Sequence, residues 1–270
     1  MLPINPFKKA LRAGQAQIGV WSTIPSPFVT EMIGGAGYDW ALLDTEHTPN
    51  DVPLMLSQMQ ALAAAQPAPG RPATHAVVRP AWNDMVLIKR YLDLGAQTLL
   101  LPFVQNADEA HEAVDAMRYA PRGVRGMGGS VRASNFGRTT DYIQKADDEL
   151  CLLVQVETGE ALENLEDIAA VDGVDGIFIG PADLSASLGY PGQPFHPEVT
   201  RTINDAIRRI RACGKAPGIL MVKEERAREC LDLGALFVAV ALDTIILREG
   251  VDKVASRFIS TDAPLTSSAY

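Results

Sequence analysis

Eight short runs of near-continuous apolar residues punctuate the chain. They are "QIGVW" ending at Trp21, "WALLD" at Asp44, "HAVVRP" around Arg79, "TLLLPFV" near Val104, "CLLVQVE" ending at Glu157, "GIFIG" at Gly180, "APGIL" at Leu220 and "LFVAVAL" at Leu242. Between them lie stretches of helical periodicity, among them "DMVLIKRYLDLG", "ADEAHEAVDAMR" and "EVTRTINDAIRRIRACG". Strands that are apolar at successive positions are buried on both faces, as in a parallel sheet covered by helices. Eight such units in 270 residues predict a (β/α)8 barrel of the TIM type. No G-x-G-x-x-G follows a strand, as an open dinucleotide-binding sheet would require. The phrases "LDLGAQ" and "LDLGAL" read as helix ends feeding strands, with Gly95 and Gly234 at the turns. The expected organisation is one α/β domain over residues 1–270, with a polar tail from about 261.

One segment departs from this rhythm. Residues 119–149, "YAPRGVRGMGGSVRASNFGRTTDYIQKADDE", are too long for an ordinary helix-to-strand connection. Their glycines and arginines allow two readings: an anion-binding lid, or a solvated loop with a short helix near "TDYIQKADDE".

Composition narrows the function. A net charge of -9 argues against a nucleic-acid surface, which needs clustered Lys and Arg. No apolar run approaches the length of a membrane span and the N-terminus has no apolar leader core, so a soluble, cytoplasmic protein is expected. Cys151, Cys213 and Cys230 lack metal-ligand spacing and read as reduced packing residues.

In a barrel of this kind the site lies at the C-terminal strand ends, which selects Trp21, Asp44, His47, Arg79, Gln155, Glu157 and Asp183. Period-two alternation puts Gln155 and Glu157 on one face of their strand. Glu157 and Asp183, on adjacent strand ends, suit a hard divalent ion; equally, Asp183 suits an N-cap and Glu157 a helix dipole. Asp44, three residues before His47, is placed to orient an imidazole acting as general acid or base, or else to satisfy loop amides beside a surface His47. Asn50 and Asp51 read as helix caps, while the direction of Glu46 is hidden by the turn. A guanidinium ending an apolar strand needs a partner, so Arg79 either holds a substrate oxygen or pairs with a carboxylate such as Asp44. His75 begins its strand, at the wrong end of a barrel for chemistry. No lysine is placed for a Schiff base, and no Ser or Cys has a nucleophile-elbow context.

Several motifs together, "LLDTEHTPND", "VVRPAWND", "TLLLPFVQNADEA", "YAPRGVRG", "LLVQVET" and "DGIFIGPADLSASLGY", resemble the HpcH/HpaI class II pyruvate aldolases, from about residue 7 to about residue 260. The likeness is close to the 4-hydroxy-2-oxoheptanedioate aldolase branch, with its place in aromatic catabolism. It implies a metal-dependent barrel of the phosphoenolpyruvate/pyruvate group, assembled as a homo-hexamer through the last helix. It further implies Glu157 and Asp183 as ligands of Mg2+, Mn2+ or Co2+, and His47 directed by Asp44 as the proton-transfer group. Arg79 would be the pyruvate-contacting arginine, with Gln155, Trp21 and the backbone near Ala182 and Asp183 also binding substrate. The implied reaction is retro-aldol cleavage of 4-hydroxy-2-oxo acids to pyruvate and an aldehyde such as succinic semialdehyde. Thr45 stands where the branch usually carries Gly, which bears on the aldehyde preference more than on the reaction. Two alternatives remain: a 2-keto-3-deoxy sugar-acid aldolase, and a catalytically silent pyruvate-binding barrel.

Overall fold

The structure, a computed structural model, describes residues 2–259. The tail expected from about 261 lies outside the described residues. Eight strands, β1 (Gln17–Ser22), β2 (Trp40–Asp44), β3 (His75–Arg79), β4 (Thr98–Leu101), β5 (Cys151–Val156), β6 (Val174–Ile179), β7 (Ala216–Leu220) and β8 (Phe237–Leu242), pair in chain order. All pairs are parallel, and β8 closes on β1. The chain is therefore a (β/α)8 barrel, with each apolar run of the sequence forming one strand.

The helices are α1 (Pro6–Arg12), α2 (Pro27–Gly34), α3 (Val52–Ala64), α4 (Met85–Asp93), α5 (Ala107–Met117), α6 (Tyr142–Glu149), α7 (Gly159–Glu163), α8 (Leu165–Ala170), α9 (Pro181–Ser187), α10 (Pro197–Ala212), α11 (Glu224–Asp232) and α12 (Asp243–Ala255). Their starts are set by side chains that satisfy free amides: Asp51 accepts from Leu54, Asp84 from Val86 and Leu87, and Asn106 from Glu109. Gly95 and Gly234, at φ 95° and 104°, supply the left-handed turns that end α4 and α11. No helix among the described residues is long and apolar enough to cross a membrane.

Strand alternation divides the core into two layers. Leu43, Val78, Val154 and Ile177 face the helices, whereas Leu42, Val77, Leu153 and Phe178 fill the barrel. The N-terminal end of the barrel is sealed by α1, whose Phe7 meets the rings of Trp40, His75 and Phe237 at centroid distances of 5.9, 5.6 and 6.0 Å. His75 is thus a structural residue, with Nε2 2.8 Å from Thr98 Oγ1.

Residues 119–149 form a loop with one turn of 3-10 helix (Arg132–Ser134) and then α6. Because this segment joins α5 to β5, it enters the barrel at the N-terminal end of β5, away from the mouth. Three of its four arginines are tied to other parts of the fold or to α6: Arg122 to Asp147 and Arg125 to Asp93, each at 2.8 Å, and Arg132 to the Leu94 carbonyl, while Arg138 meets only the Asn135 carbonyl of its own loop. The anion-binding lid is therefore replaced by the other reading, a loop with a short terminal helix.

Candidate active site

Toward the C-terminal mouth the inward positions change character. Leu42 is followed by Asp44, Val77 by Arg79, Leu153 by Gln155 and Glu157, and Phe178 by Gly180. The same alternation that fills the barrel with apolar side chains thus delivers polar groups to its rim. They border a cavity of about 770 Å3. Trp21, Asp44, His47, Arg79, Gln155, Glu157, Ala182 and Asp183 all line it, so the structure brings every residue selected from the sequence to one place.

Asp44 and Arg79 are register partners on β2 and β3. The guanidinium, 5% exposed, holds Asp44 with two bonds, Nε to Oδ1 at 2.8 Å and Nη2 to Oδ2 at 2.7 Å. Its Nη1 lies 2.8 Å from Glu46 Oε2, and its carbon lies 4.7 Å from the centroid of the Trp21 ring. Burial works against the Arg79 charge, but the bonds to Asp44 and the fields of Asp44, Glu46 and Glu157 outweigh it and hold the pKa above its ordinary value. Arg79 is a fixed cation at the cavity wall.

The expected direction of His47 by Asp44 is not what the structure shows. The Asp44 carboxylate is occupied by Arg79, by the Glu46 amide at 3.0 Å and by Trp21 Nε1 at 3.5 Å. His47, its side chain 67% exposed toward the cavity mouth, has Glu46 Oε1 at 3.7 Å instead. The reason is local: a carboxylate that closes a strand meets its register partner before it meets a residue three positions along an irregular turn. Glu46, whose direction sequence reasoning left unassigned, therefore links Arg79 to His47. Its carboxyl is pushed up to about 6 by burial, with Arg79 opposing and Asp44 and Asp183 adding. Asn50 also differs from the capping expectation, donating to the Asp44 carbonyl at 2.7 Å and so bracing the turn, while Asp51 alone caps α3. Thr45 is buried and points away from the cavity, donating to the Arg79 carbonyl at 2.7 Å and accepting from Tyr91.

Glu157 is 2% exposed. Oε1 accepts from the Phe103 amide at 3.0 Å and Oε2 from Gln155 Nε2 at 2.5 Å. Burial pushes its pKa up to about 7, against the Gln155 bond and reinforced by Asp183 and Glu46. Gly180 keeps the carboxylate open, because a Cβ there would lie 2.5 Å from Glu157 Oε2. Gln155 Oε1 is buried without a hydrogen-bond partner. Asp183 sits in the first turn of α9, where Gly180 is the N-cap and no side chain caps the helix. The capping alternative for Asp183 is thereby removed.

Asp44, Glu46, Glu157 and Asp183 thus gather four carboxylates against one guanidinium. No group of three or more His, Cys, Asp or Glu side chains with metal-binding geometry occurs among the described residues. Glu157 and Asp183 would instead form a two-carboxylate site, suited to a hard cation that takes its other oxygens from water or substrate. The open carboxylate beside Gly180, its raised pKa and the unsatisfied Gln155 oxygen fit such an ion.

Comparison with known proteins bears on the fold and the class of reaction. Residues 17–249 match the family model described as HpcH/HpaI aldolase/citrate lyase. The chain is 56% identical over 255 residues to 4-hydroxy-2-oxo-heptane-1,7-dioate aldolase of Klebsiella pneumoniae, covering 94% of each chain. It is 55% identical to the protein of that name from Escherichia coli, covering 94% of this chain and 95% of the other. A crystal structure of an HpcH/HpaI aldolase/citrate lyase family protein from Burkholderia cenocepacia superposes with a TM-score of 0.89 at 36% identity, covering 95% and 100% of the two chains. With a closed parallel barrel, polar strand ends gathered at one mouth, and a match across most of its length, the chain belongs to the HpcH/HpaI aldolase/citrate lyase family and is a carbon–carbon lyase.

Proposed function

We propose that the chain is a divalent-metal-dependent class II aldolase that cleaves and forms 4-hydroxy-2-oxo acids, releasing pyruvate and an aldehyde such as succinic semialdehyde. The observation that carries this reading is the buried Glu157 carboxylate, left room by Gly180, lining the same cavity as Asp183 and the fixed Arg79 guanidinium. The names of the 55–56% identical relatives support the substrate class.

Glu157 and Asp183 would hold the ion, which can be Mg2+, Mn2+ or Co2+ by its oxygen donors. When bound, it supplies positive charge to the oxo group of the substrate as negative charge develops there. Arg79 keeps N–H groups for a substrate oxygen because Asp44 and Glu46 fix its plane without using all five donors. Ala182 and Asp183, in the first turn of α9, line the cavity, and their backbone would receive the pyruvate carboxylate. Gln155 orients the acid end, and Trp21 forms the wall beneath the guanidinium. His47 takes the proton of the C4 hydroxyl in cleavage and returns it in synthesis, with Glu46 as its nearest carboxylate. We infer in addition a homo-hexamer, supported by the exposed apolar side chains of α12: Ile246, Leu247, Val251 and Val254.

The test is pyruvate release from a panel of 4-hydroxy-2-oxo acids, including 2-keto-3-deoxy sugar acids, by chelator-stripped protein with single metals restored. Activity should vanish on stripping and return with Mg2+, Mn2+ or Co2+. Activity that survives chelation, together with a pyruvate adduct trapped by borohydride, would overturn the reading.

A further inference from the structure

The four residues after β4 reach across to β5 and fasten its end. The Val104 amide donates to the Gln155 carbonyl at 3.0 Å, the Thr158 hydroxyl to Gln105 Oε1 at 2.7 Å, and the Asn164 amide group to the Gln105 carbonyl at 2.9 Å. Within this clamp Phe103 has φ 56°, a left-handed conformation that side chains other than Gly, Asn or Asp rarely adopt. The unusual turn has a specific result: it aims the Phe103 N–H at Glu157 Oε1. Gln155 holds the other oxygen, so the carboxylate is pinned at both ends.

The Phe103 side chain does not fill the core. It is 39% exposed and stacks on Trp82, itself 52% exposed, at a centroid distance of 5.5 Å and an interplanar angle of 29°. Trp82 follows Arg79 on the next loop of the same rim, and neither ring lines the cavity. Two aromatic rings are thus stacked on the surface beside the site, at the point where the backbone is held in a costly conformation. Strain retained next to a site needs surroundings that enforce it, and the stack and the clamp are those surroundings.

We propose that Phe103 is a positioning residue: its left-handed backbone, locked by the ring stack with Trp82 and by the clamp on β5, orients Glu157 toward the bound cation. The inference rests on the reading of Glu157 as a cation ligand. What matters in it is the backbone, so substitutions at one position separate it from a role of the ring. Valine, β-branched, resists the left-handed region, whereas glycine enters it freely, and both keep the N–H.

The experiment is titration of Mn2+ into chelator-stripped full-length protein, followed by calorimetry, with melting temperatures measured on the same samples. Phe103→Val should weaken Mn2+ binding roughly 10-fold or more, the range typical for partners that orient a metal ligand. Phe103→Gly should stay within about threefold of the parent, since its amide still reaches Glu157. Trp82→Ala, a surface change that leaves folding intact even where Phe103→Val does not, should weaken binding by about threefold to tenfold. Equal Mn2+ affinity in the parent, Phe103→Val and Trp82→Ala proteins overturns the proposal and leaves Glu157 as a ligand. Equal loss in Phe103→Gly and Phe103→Val overturns it too, because the backbone would then not be the agent. A parent protein that binds no Mn2+ overturns the reading of Glu157 itself.

Discussion

The floor of this barrel around Phe7 and its C-terminal mouth bury polar groups in opposite ways. At the N-terminal end Asn5 donates to Thr98 Oγ1 at 3.0 Å and to the Glu149 carbonyl at 3.0 Å, Lys8 donates to the Leu150 carbonyl, and Trp40 Nε1 donates to the Gln17 carbonyl at 3.1 Å. These groups are satisfied, and aromatic rings fill the space between them. At the C-terminal mouth Gln155 Oε1 is buried without a partner, burial pushes the carboxyls of Glu46 and Glu157 up to about 6 and about 7, and Phe103 is strained. Unsatisfied groups and strain destabilise a fold; at the mouth they lie beside the space a ligand would fill, whereas Tyr119 Oη, Arg125 Nε and Phe136 at φ 56° lie apart from it in residues 119–149. The sealed end stabilises the barrel and the open end does its chemistry, a division seen in barrels of this class.

The comparison breaks most readily at Phe7, which carries the sealed end. Phe7→Ala removes a fully buried ring that touches three others, and large-to-small changes of this kind cost about 3–5 kcal/mol. The variant should melt well below the parent yet keep kcat close to that of the parent when assayed folded. A Phe7→Ala enzyme that loses turnover in proportion to stability would show that the two ends are coupled.

At the open end Arg79→Lys keeps the charge but loses the planar fork that engages Asp44 and Glu46 together. Because the guanidinium is buried in an ion pair, some loss of melting temperature is expected here. The sharper outcome is a fall in kcat of roughly 10²-fold in protein shown to be folded, comparable to removing one oxyanion donor. Lowered stability with full kcat would confine Arg79 to holding β2 and β3 together.

The sequence made this division legible only in part, and the boundary is physical. Parallel strands buried on both faces leave apolar runs with no competing pattern, so all eight were visible, and alternation along "LLVQVE" correctly put Gln155 and Glu157 on one face. Periodicity stops where the strand stops. Beyond Asp44 the chain enters a turn, and spacing there gave no direction for Glu46 and left His47, Arg79 and the loop amides all open as partners of Asp44, of which the structure shows the last two. The pairing of Asp44 with Arg79 follows from register between two strands that both end in a charge, a signal present in "WALLD" and "HAVVR" once the strands are set side by side. The left-handed turn at Phe103 has no such signal, since phenylalanine there runs against local preference. The tied arginines of residues 119–149 depended on knowing which end of the barrel that segment reaches.

The smallest predicted effect tests how completely the N-terminal end is sealed. His75 lies against Phe7 at an interplanar angle of 1°, and burial lowers its pKa from 6.5 to about 4. A group whose pKa is lowered on folding favours the folded state in its neutral form, so its stability contribution is present above about pH 6.5 and lost as pH falls toward 4. Between pH 7 and pH 5 that loss is about 2 kcal/mol. His75→Phe keeps the stacking but cannot titrate, and Thr98 Oγ1 still accepts from Asn5. Glu46 and Glu157 titrate in the same window with the opposite sign, because their pKa values are raised by folding and protonation there favours the folded state. They are common to both proteins, so the difference between parent and variant isolates the histidine. Denaturant unfolding at pH 7 and pH 5 should show the parent losing about 2 kcal/mol more than His75→Phe. Equal losses would mean that His75 takes up its proton without penalty and that water reaches the end of the barrel that Phe7 closes.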